Sequence, residues 1–289
     1  MDEHRAGTRL PATRETADRA REIAAGSVQP VAPRDAATVI LARPGPAGDG
    51  IEVFLLQRTR ALDFAPGACV FPGGSVDEGD ADPAIAEAAW VGPSPDDLAR
   101  LLGIPASRAC ALVGAAVRET FEESGVLLAE PAPGEVLPDS EVLAEDQRAL
   151  LDGSLWLGEL LRRRRLVLRA DLLTPWTRWI TPEVSPRRFD TWFFAAALPP
   201  GQLASLAVAG TGESDSGTWW RPSAALAAAR AGEITVLPPT AVTLAELTAY
   251  PDVAGILAAR RPIAPLMSRV IAEDGQAWLA LPPDVEYPL

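Results

Sequence analysis

The chain of 289 residues reads as a single α/β domain. Three observations predict this. Runs rich in β-branched and aromatic residues alternate with stretches that carry helix punctuation. No linker or shift in composition separates them, and no segment repeats. With 48% hydrophobic residues the chain can bury a sizeable core.

The elements follow in order. Residues 1–33 read as an arm with one short helix around Glu15 to Ala25. AATVILA (36–42) and IEVFLLQR (51–58) read as adjacent strands joined by the turn-forming PGPAGDG. ALDFAPGACVFPGG then ends in Pro72-Gly73-Gly74, where glycines permit close backbone approach. Residues 81–110 look inserted. Within them SPDDLARLLG has Ser94 as N-cap, Pro95 at the first helical position, Asp96 and Asp97 in the first turn and Gly103 as the stop. A longer helix runs from about Ala109 to Ser124 and closes at Gly125. Residues 143–170 read as a helical pair whose arginines at 162–165 form a solvated face. RRFDTWFFAAAL (187–198) is a strand, and SDSGTWWRP marks another in which Trp219 and Trp220 point to opposite sides. PSAALAAARAG and Thr240 to Ala259 are helical, and about the last 25 residues hold a strand pair.

Composition excludes several chemistries. A net charge of −13 argues against non-specific nucleic-acid binding, and any phosphate substrate then needs a metal ion or local arginines to offset repulsion. The chain has no lysine, so Schiff-base and P-loop mechanisms fall away. Its one histidine, His4, lies in the arm, which removes histidine triads and histidine-rich metal sites. Arginine in place of lysine, with abundant alanine and proline, suggests a GC-rich bacterial genome. Cys69 and Cys110 sit in apolar surroundings as free thiols, consistent with a reducing, cytoplasmic setting. No apolar run is long enough to span a bilayer, and the first residues are charged throughout, so neither signal peptide nor membrane anchor is expected.

The segment RETFEESGV (118–126) concentrates charge. A helix puts Glu119, Glu122 and Glu123 on one face, where like charges repel by roughly a few tenths of a kcal/mol per pair. Such a face is either a solvated acidic stripe or a cluster that expects a cation. Hard divalent ions take carboxylate and carbonyl oxygens, and a Gly-Gly turn can offer an unshielded carbonyl. Arg118 can brace a carboxylate one or four residues on.

RETFEESGV resembles the second half of the Nudix box, Arg-Glu-U-x-Glu-Glu-x-Gly-U with U aliphatic, apart from Thr120 at an aliphatic position. The first half, Gly-x5-Glu, matches Gly74 to Asp80, with Asp for Glu. Between Asp80 and Arg118 lie 37 residues where the ordinary box has about seven, a surplus that coincides with the inserted segment. An interrupted box resembles the peroxisomal-type coenzyme A diphosphatases and their bacterial relatives. FLLQRTRALDFAPGACVFPGG, RRFDTWFF and LPPTAVTLAEL are similar to that subgroup as well, although a second arginine expected between Arg58 and Gly67 is Asp63 here. The resemblance spans roughly residues 36 to 285.

It implies a Nudix fold over residues 34–289, a mixed sheet sandwiched between helices, with the arm, the insertion and extra helices added. It implies Mg²⁺- or Mn²⁺-dependent hydrolysis of coenzyme A or acyl-CoA to 3′,5′-ADP and (acyl-)phosphopantetheine. Glu119, Glu122 and Glu123 would share the metal with a carbonyl of Gly73 or Gly74, and Arg118 would orient a glutamate. Either Glu122 or Glu123 is a candidate general base; Glu183 and Glu213 are loop candidates for an extra acid. Arg58, Arg60, Gly67, Arg187 and Arg188 are candidates for substrate binding, the arginines being equally readable as surface ion pairs. Phe64 is a candidate for stacking on adenine, with ordinary packing as its alternative. Another nucleotide diphosphate such as ADP-ribose or NADH is the rival substrate, and a nucleotide-binding regulatory domain the rival class. A homodimer is also suggested by the resemblance.

Overall fold

The computed structural model describes residues 8–46, 48–61, 65–82, 85, 90–134, 140–205, 214–273 and 276–289. Its centre is a mixed sheet built on β2 (Arg34–Pro44), β3 (Ile51–Arg58) and β10 (Phe189–Ala197). β2 runs parallel to β10, in register from Arg34↔Phe189 to Ala42↔Ala197, and antiparallel to β3. β4 (Ala68–Val70) and β11 (Ser214–Trp220) flank β3, while β5 (Gly73–Ser75) pairs with the start of β2. β9 (Thr174–Ile180) continues the sheet beyond β10, with β13 (Pro265–Leu266) at that edge and β12 (Thr235–Val236) at the other.

Both faces of the sheet are covered, which is why β3 is apolar along most of its length rather than alternating. Val39, Leu41, Phe54, Leu56, Trp192 and Phe194 point to one side, Ile40, Val53, Leu55, Phe193 and Ala195 to the other. This is the two-residue period of a strand. The first side packs on α2 (Pro95–Leu102), α3 (Ala106–Ser124), α4 (Ser140–Leu151) and α5 (Leu157–Arg163). The second packs on α6 (Pro222–Arg230), α7 (Pro238–Leu247) and α8 (Val253–Ala258). Each fully buried Leu or Phe contributes about 1.5–3 kcal/mol, so α3, buried along most of its 19 residues, is held chiefly by packing. Trp219 packs with the first side and Trp220 with the second, as the strand reading requires.

An ionic cluster fixes the start of α3. Arg108 donates to Asp35 on β2 (2.9 Å) and to Asp190 on β10 (2.8 Å). Arg178 on β9 donates to both oxygens of Asp190, at 2.7 and 2.6 Å, and lies 4.5 Å above the Trp192 ring. Burial pushes the Asp190 carboxyl up, but the two arginines hold it below the usual carboxylate range.

The α2 punctuation is as expected: Ser94 accepts from the Asp97 N–H and Gly103 adopts a left-handed φ of 68°. Three expectations need correction. α3 starts at Ala106, three residues earlier than its pattern suggested, because Pro105 can occupy the N-cap. Leu166–Arg169 is β8, a strand between β6 (Trp90–Val91) and β7 (Ala129–Pro131), rather than the end of a helical pair. The helical run from Thr240 to Ala259 is broken around Pro251, which cannot continue α7.

The N-terminal segment is tied to the other end of the chain. β1 (Arg9–Pro11) pairs antiparallel with β15 (Gln276–Ala280), itself paired with β14 (Arg269–Glu273). α1 (Arg14–Ala24) packs on that hairpin, with Thr13 accepting from the Thr16 N–H as its N-cap.

Candidate active site

The chain folds the two distant halves of the acidic motif against each other. β5 places Gly73 and Gly74 beside the last turns of α3, so the Gly73 N–H donates to Glu123 Oε2 at 2.7 Å. Glu119 reaches still closer to Gly74. A Cβ added to Gly74 would stand 2.5 Å from Glu119 Cδ and 2.8 Å from Oε2, so only glycine leaves room for this carboxylate.

Arg118 organises the cluster. Its Nε and Nη2 donate to the two oxygens of Asp80, each at 2.9 Å, and Nη2 also donates to the Ser75 carbonyl at 2.9 Å. Nη1 donates to Glu119 Oε1 at 2.9 Å and Glu122 Oε2 at 3.2 Å. Asp80, in the short 3₁₀ turn Glu78–Ala81, is completely buried. Sequence reasoning placed Asp80 at the spacing of the first half-motif but did not pair it with Arg118. The bidentate geometry explains why an arginine is needed here: a lysine offers no planar fork.

Burial raises the Glu119 pKa well above the usual carboxylate range; Arg118 offsets part of this, while Glu123 and Glu122 add to it. Glu122 is raised by burial too, again partly offset by Arg118. Burial works against the Arg118 charge, but Asp80 and Glu119 more than compensate and hold its pKa high. One arginine thus faces Asp80, Glu119 and Glu122, with Glu123 beside them. The excess negative charge and the oxygen-only donor set fit a hard divalent cation. Among the described residues, no three acidic side chains already converge as a metal cage. Arg118 draws Glu119 and Glu122 to itself and Gly73 holds Glu123.

These groups line a cavity of about 1910 Å³ together with Gly73, Gly74, Arg58 and Arg187. Arg58 ends β3 half-buried. Its Nε is enclosed without a hydrogen-bond partner, and among the described residues its guanidinium makes no ion pair. That is an unsatisfied cation beside the FPGG turn.

The remaining candidates lie elsewhere. Arg60 is exposed and does not line the cavity; its stem lies over Gly67, whose φ of 68° makes the turn into β4. Arg188 is buried: it donates to the Thr181 carbonyl at 3.0 Å and the Val31 carbonyl at 2.7 Å, and it lines no part of the cavity. The two lie in the bend just before β10, where Arg188 turns to the Thr181 and Val31 carbonyls and only Arg187 of the pair faces the cavity. Glu183 is exposed on the turn after β9, outside the cavity lining. Glu213 and Phe64 fall outside the described residues.

Comparison with known proteins agrees with this geometry. Residues 93–247 match the family described as the NUDT19 Nudix domain. The acyl-coenzyme A diphosphatase NUDT19 of Xenopus laevis is 30% identical over 232 residues, covering 68% of this chain and 59% of that protein. The Homo sapiens protein of the same name is 32% identical over 244 residues, covering 68% and 60%. The chain thus spans about six-tenths of the length of these relatives. A crystal structure of a Nudix hydrolase from Alicyclobacillus acidocaldarius superposes with a TM-score of 0.63 at 30% identity, covering 79% of this chain and 97% of that one. The family match begins after Gly74 and Asp80, so the contact of these residues with α3 supplies the missing half of the motif independently. The chain belongs to the Nudix hydrolases, in the coenzyme A diphosphatase subgroup typified by NUDT19.

Proposed function

We propose that the protein hydrolyses the diphosphate bond of coenzyme A or acyl-CoA, with Mg²⁺ or Mn²⁺, releasing 3′,5′-ADP and (acyl-)phosphopantetheine. The observation that carries this reading is the junction of Gly73 and Gly74 with Glu119 and Glu123 in one cavity that also holds Arg58. The names of the relatives support the substrate class.

Glu119, Glu122 and Glu123 would hold the ion. When bound, it supplies Lewis acidity toward the diphosphate and lowers the pKa of water at the site. The chain's own residues do the rest. Arg118 keeps Glu119 and Glu122 from swinging apart, and Asp80 keeps Arg118 in its plane. The Gly73 N–H orients Glu123. Arg58 offers its guanidinium to a phosphate oxygen, a charge-assisted bond that gains strength in a partly buried site. The general base is Glu122 or Glu123, both of which line the cavity.

The test is a substrate panel of coenzyme A, an acyl-CoA, NADH and ADP-ribose with Mg²⁺, with products separated by chromatography. Formation of 3′,5′-ADP from coenzyme A is expected. Much faster cleavage of ADP-ribose would overturn the substrate assignment.

A further inference from the structure

The cavity does not end at the acidic floor. One of its walls is α1, through Thr13, Arg14 and Arg19 among others, and another is the end of α4, at Arg148 and Leu151. Neither segment belongs to the acidic motif, and α1 lies outside the matched family region.

The wall formed by α1 is anchored at several points. β1 is paired with β15, the Ala12 N–H donates to the Ala277 carbonyl at 2.9 Å, and Arg188 grips the Val31 carbonyl downstream of the helix. Arg14 is the first residue of α1, where the helix dipole disfavours a cation. Among the described residues it has no hydrogen-bond or ionic partner to offset that cost. Arg148 is likewise unpaired among the described residues. Its turn of α4 is fixed by its neighbour Gln147, whose amide donates to the carbonyls of Phe121 and Glu122 at 2.9 Å each. An acidic protein therefore keeps guanidinium groups unpaired among the described residues on three segments of one cavity: Arg58, Arg14 and Arg148. Arg58 lies by the FPGG turn and serves the scissile diphosphate. The other two are exposed along the cavity wall and free to meet a second anion.

We infer that Arg14 of α1 and Arg148 of α4 bind a phosphomonoester carried by the same substrate, separate from the diphosphate that is cleaved. Arginine suits this role because its fork meets two phosphate oxygens at once. The inference rests on the coenzyme A reading above, in which the 3′-phosphate is that group. It makes the N-terminal segment part of the specificity of the enzyme.

The experiment uses the full chain with Arg14→Ala, Arg148→Ala and the double variant. Each is assayed with Mg²⁺ on coenzyme A and on 3′-dephospho-coenzyme A, which differ only in the phosphomonoester. The ratio of kcat/KM for the two substrates should fall about tenfold in each single variant, the size of one lost charge-assisted bond. It should fall further in the double variant, mainly through KM, and Arg14→Lys should restore part of it. Both side chains are exposed, so the melting temperature should stay near that of the wild type. An unchanged ratio in the double variant overturns the inference while leaving the coenzyme A reading intact. A wild-type protein that does not cleave coenzyme A overturns that reading, and the inference with it.

Discussion

Replacing Gly74 by alanine tests the site at its tightest point. The added Cβ would lie 2.5 Å from Glu119 Cδ and closer still to Oε1, whereas ordinary contacts begin at 3.4 Å, so the carboxylate must retreat by about 1 Å. The obstruction is the end of a side chain rather than backbone, and Gly74 has no positive φ, so the fold can accept the change. What is lost is the alignment of Glu119 with Arg118, now a 2.9 Å bond. A misplacement of about 1 Å costs up to roughly a hundredfold in rate. Gly74→Ala should therefore lower kcat by one to two orders of magnitude, raise the Mg²⁺ concentration needed for half-maximal activity and shift the melting temperature little. Gly73→Ala is the control. Its Cβ would come within 2.6 Å of the Thr38 Cα, a backbone atom, so the loss there should be of stability. Steady-state kinetics across a Mg²⁺ titration, with calorimetry on both variants, separate the two. Wild-type turnover and metal dependence in Gly74→Ala would show that Glu119 does not work from this position.

Further expectations concern the other charged groups. Glu122→Gln should lower turnover by about two orders of magnitude or more, measured as product release at saturating Mg²⁺; an unchanged rate removes it from the site. Glu119 and Glu122 have folded-state pKa values raised by burial, so ionising them costs stability. That cost sets in as pH rises from the unfolded carboxylate value of about 4.3 and is complete above the folded values. In chelator, Glu119→Gln should thus melt higher than wild type at neutral pH, with the gap closing in acid. Saturating Mg²⁺ should raise the wild-type melting temperature by binding the folded state alone, an effect of about 2.7 kcal/mol at a hundred times Kd. Asp190 works in the opposite sense. Its lowered pKa adds stability that is present above the unfolded carboxylate range and is lost as pH falls through the folded value. Asp190→Asn should cost about 3 kcal/mol by leaving Arg178 without its carboxylate and Arg108 with Asp35 alone, and should flatten the acid limb of a melting curve.

Much of the site was legible because its chemistry is local. The i, i+3, i+4 glutamates, Arg118 and the closing glycine lie within one helix, and Gly74 and Asp80 keep their mutual spacing on one turn. Arg188 was not legible. Adjacent arginines just before a strand look alike in sequence, and only the path of the folded chain decides which one meets the cavity and which one is buried. Nor was the pairing of β1 with β15, since strands joined across nearly the whole chain leave no periodic trace. Leu166–Arg169 was misread because four apolar-rich residues suit a strand or a helix equally. Pro251 is the local signal that separates α7 from α8, and the apolar pattern on either side of it obscures the break.

The fork between Asp80 and Arg118 turns the intervening 37 residues into a closed excursion, leaving and rejoining the chain at one riveted point. The entropy of such a loop grows only with the logarithm of its length, about 0.6 kcal/mol per doubling. Closure entropy therefore sets little limit on the length of the excursion; packing fixes it instead, since α2 and the first turns of α3 lie within it and bury Leu98, Leu102 and Leu112 in the core.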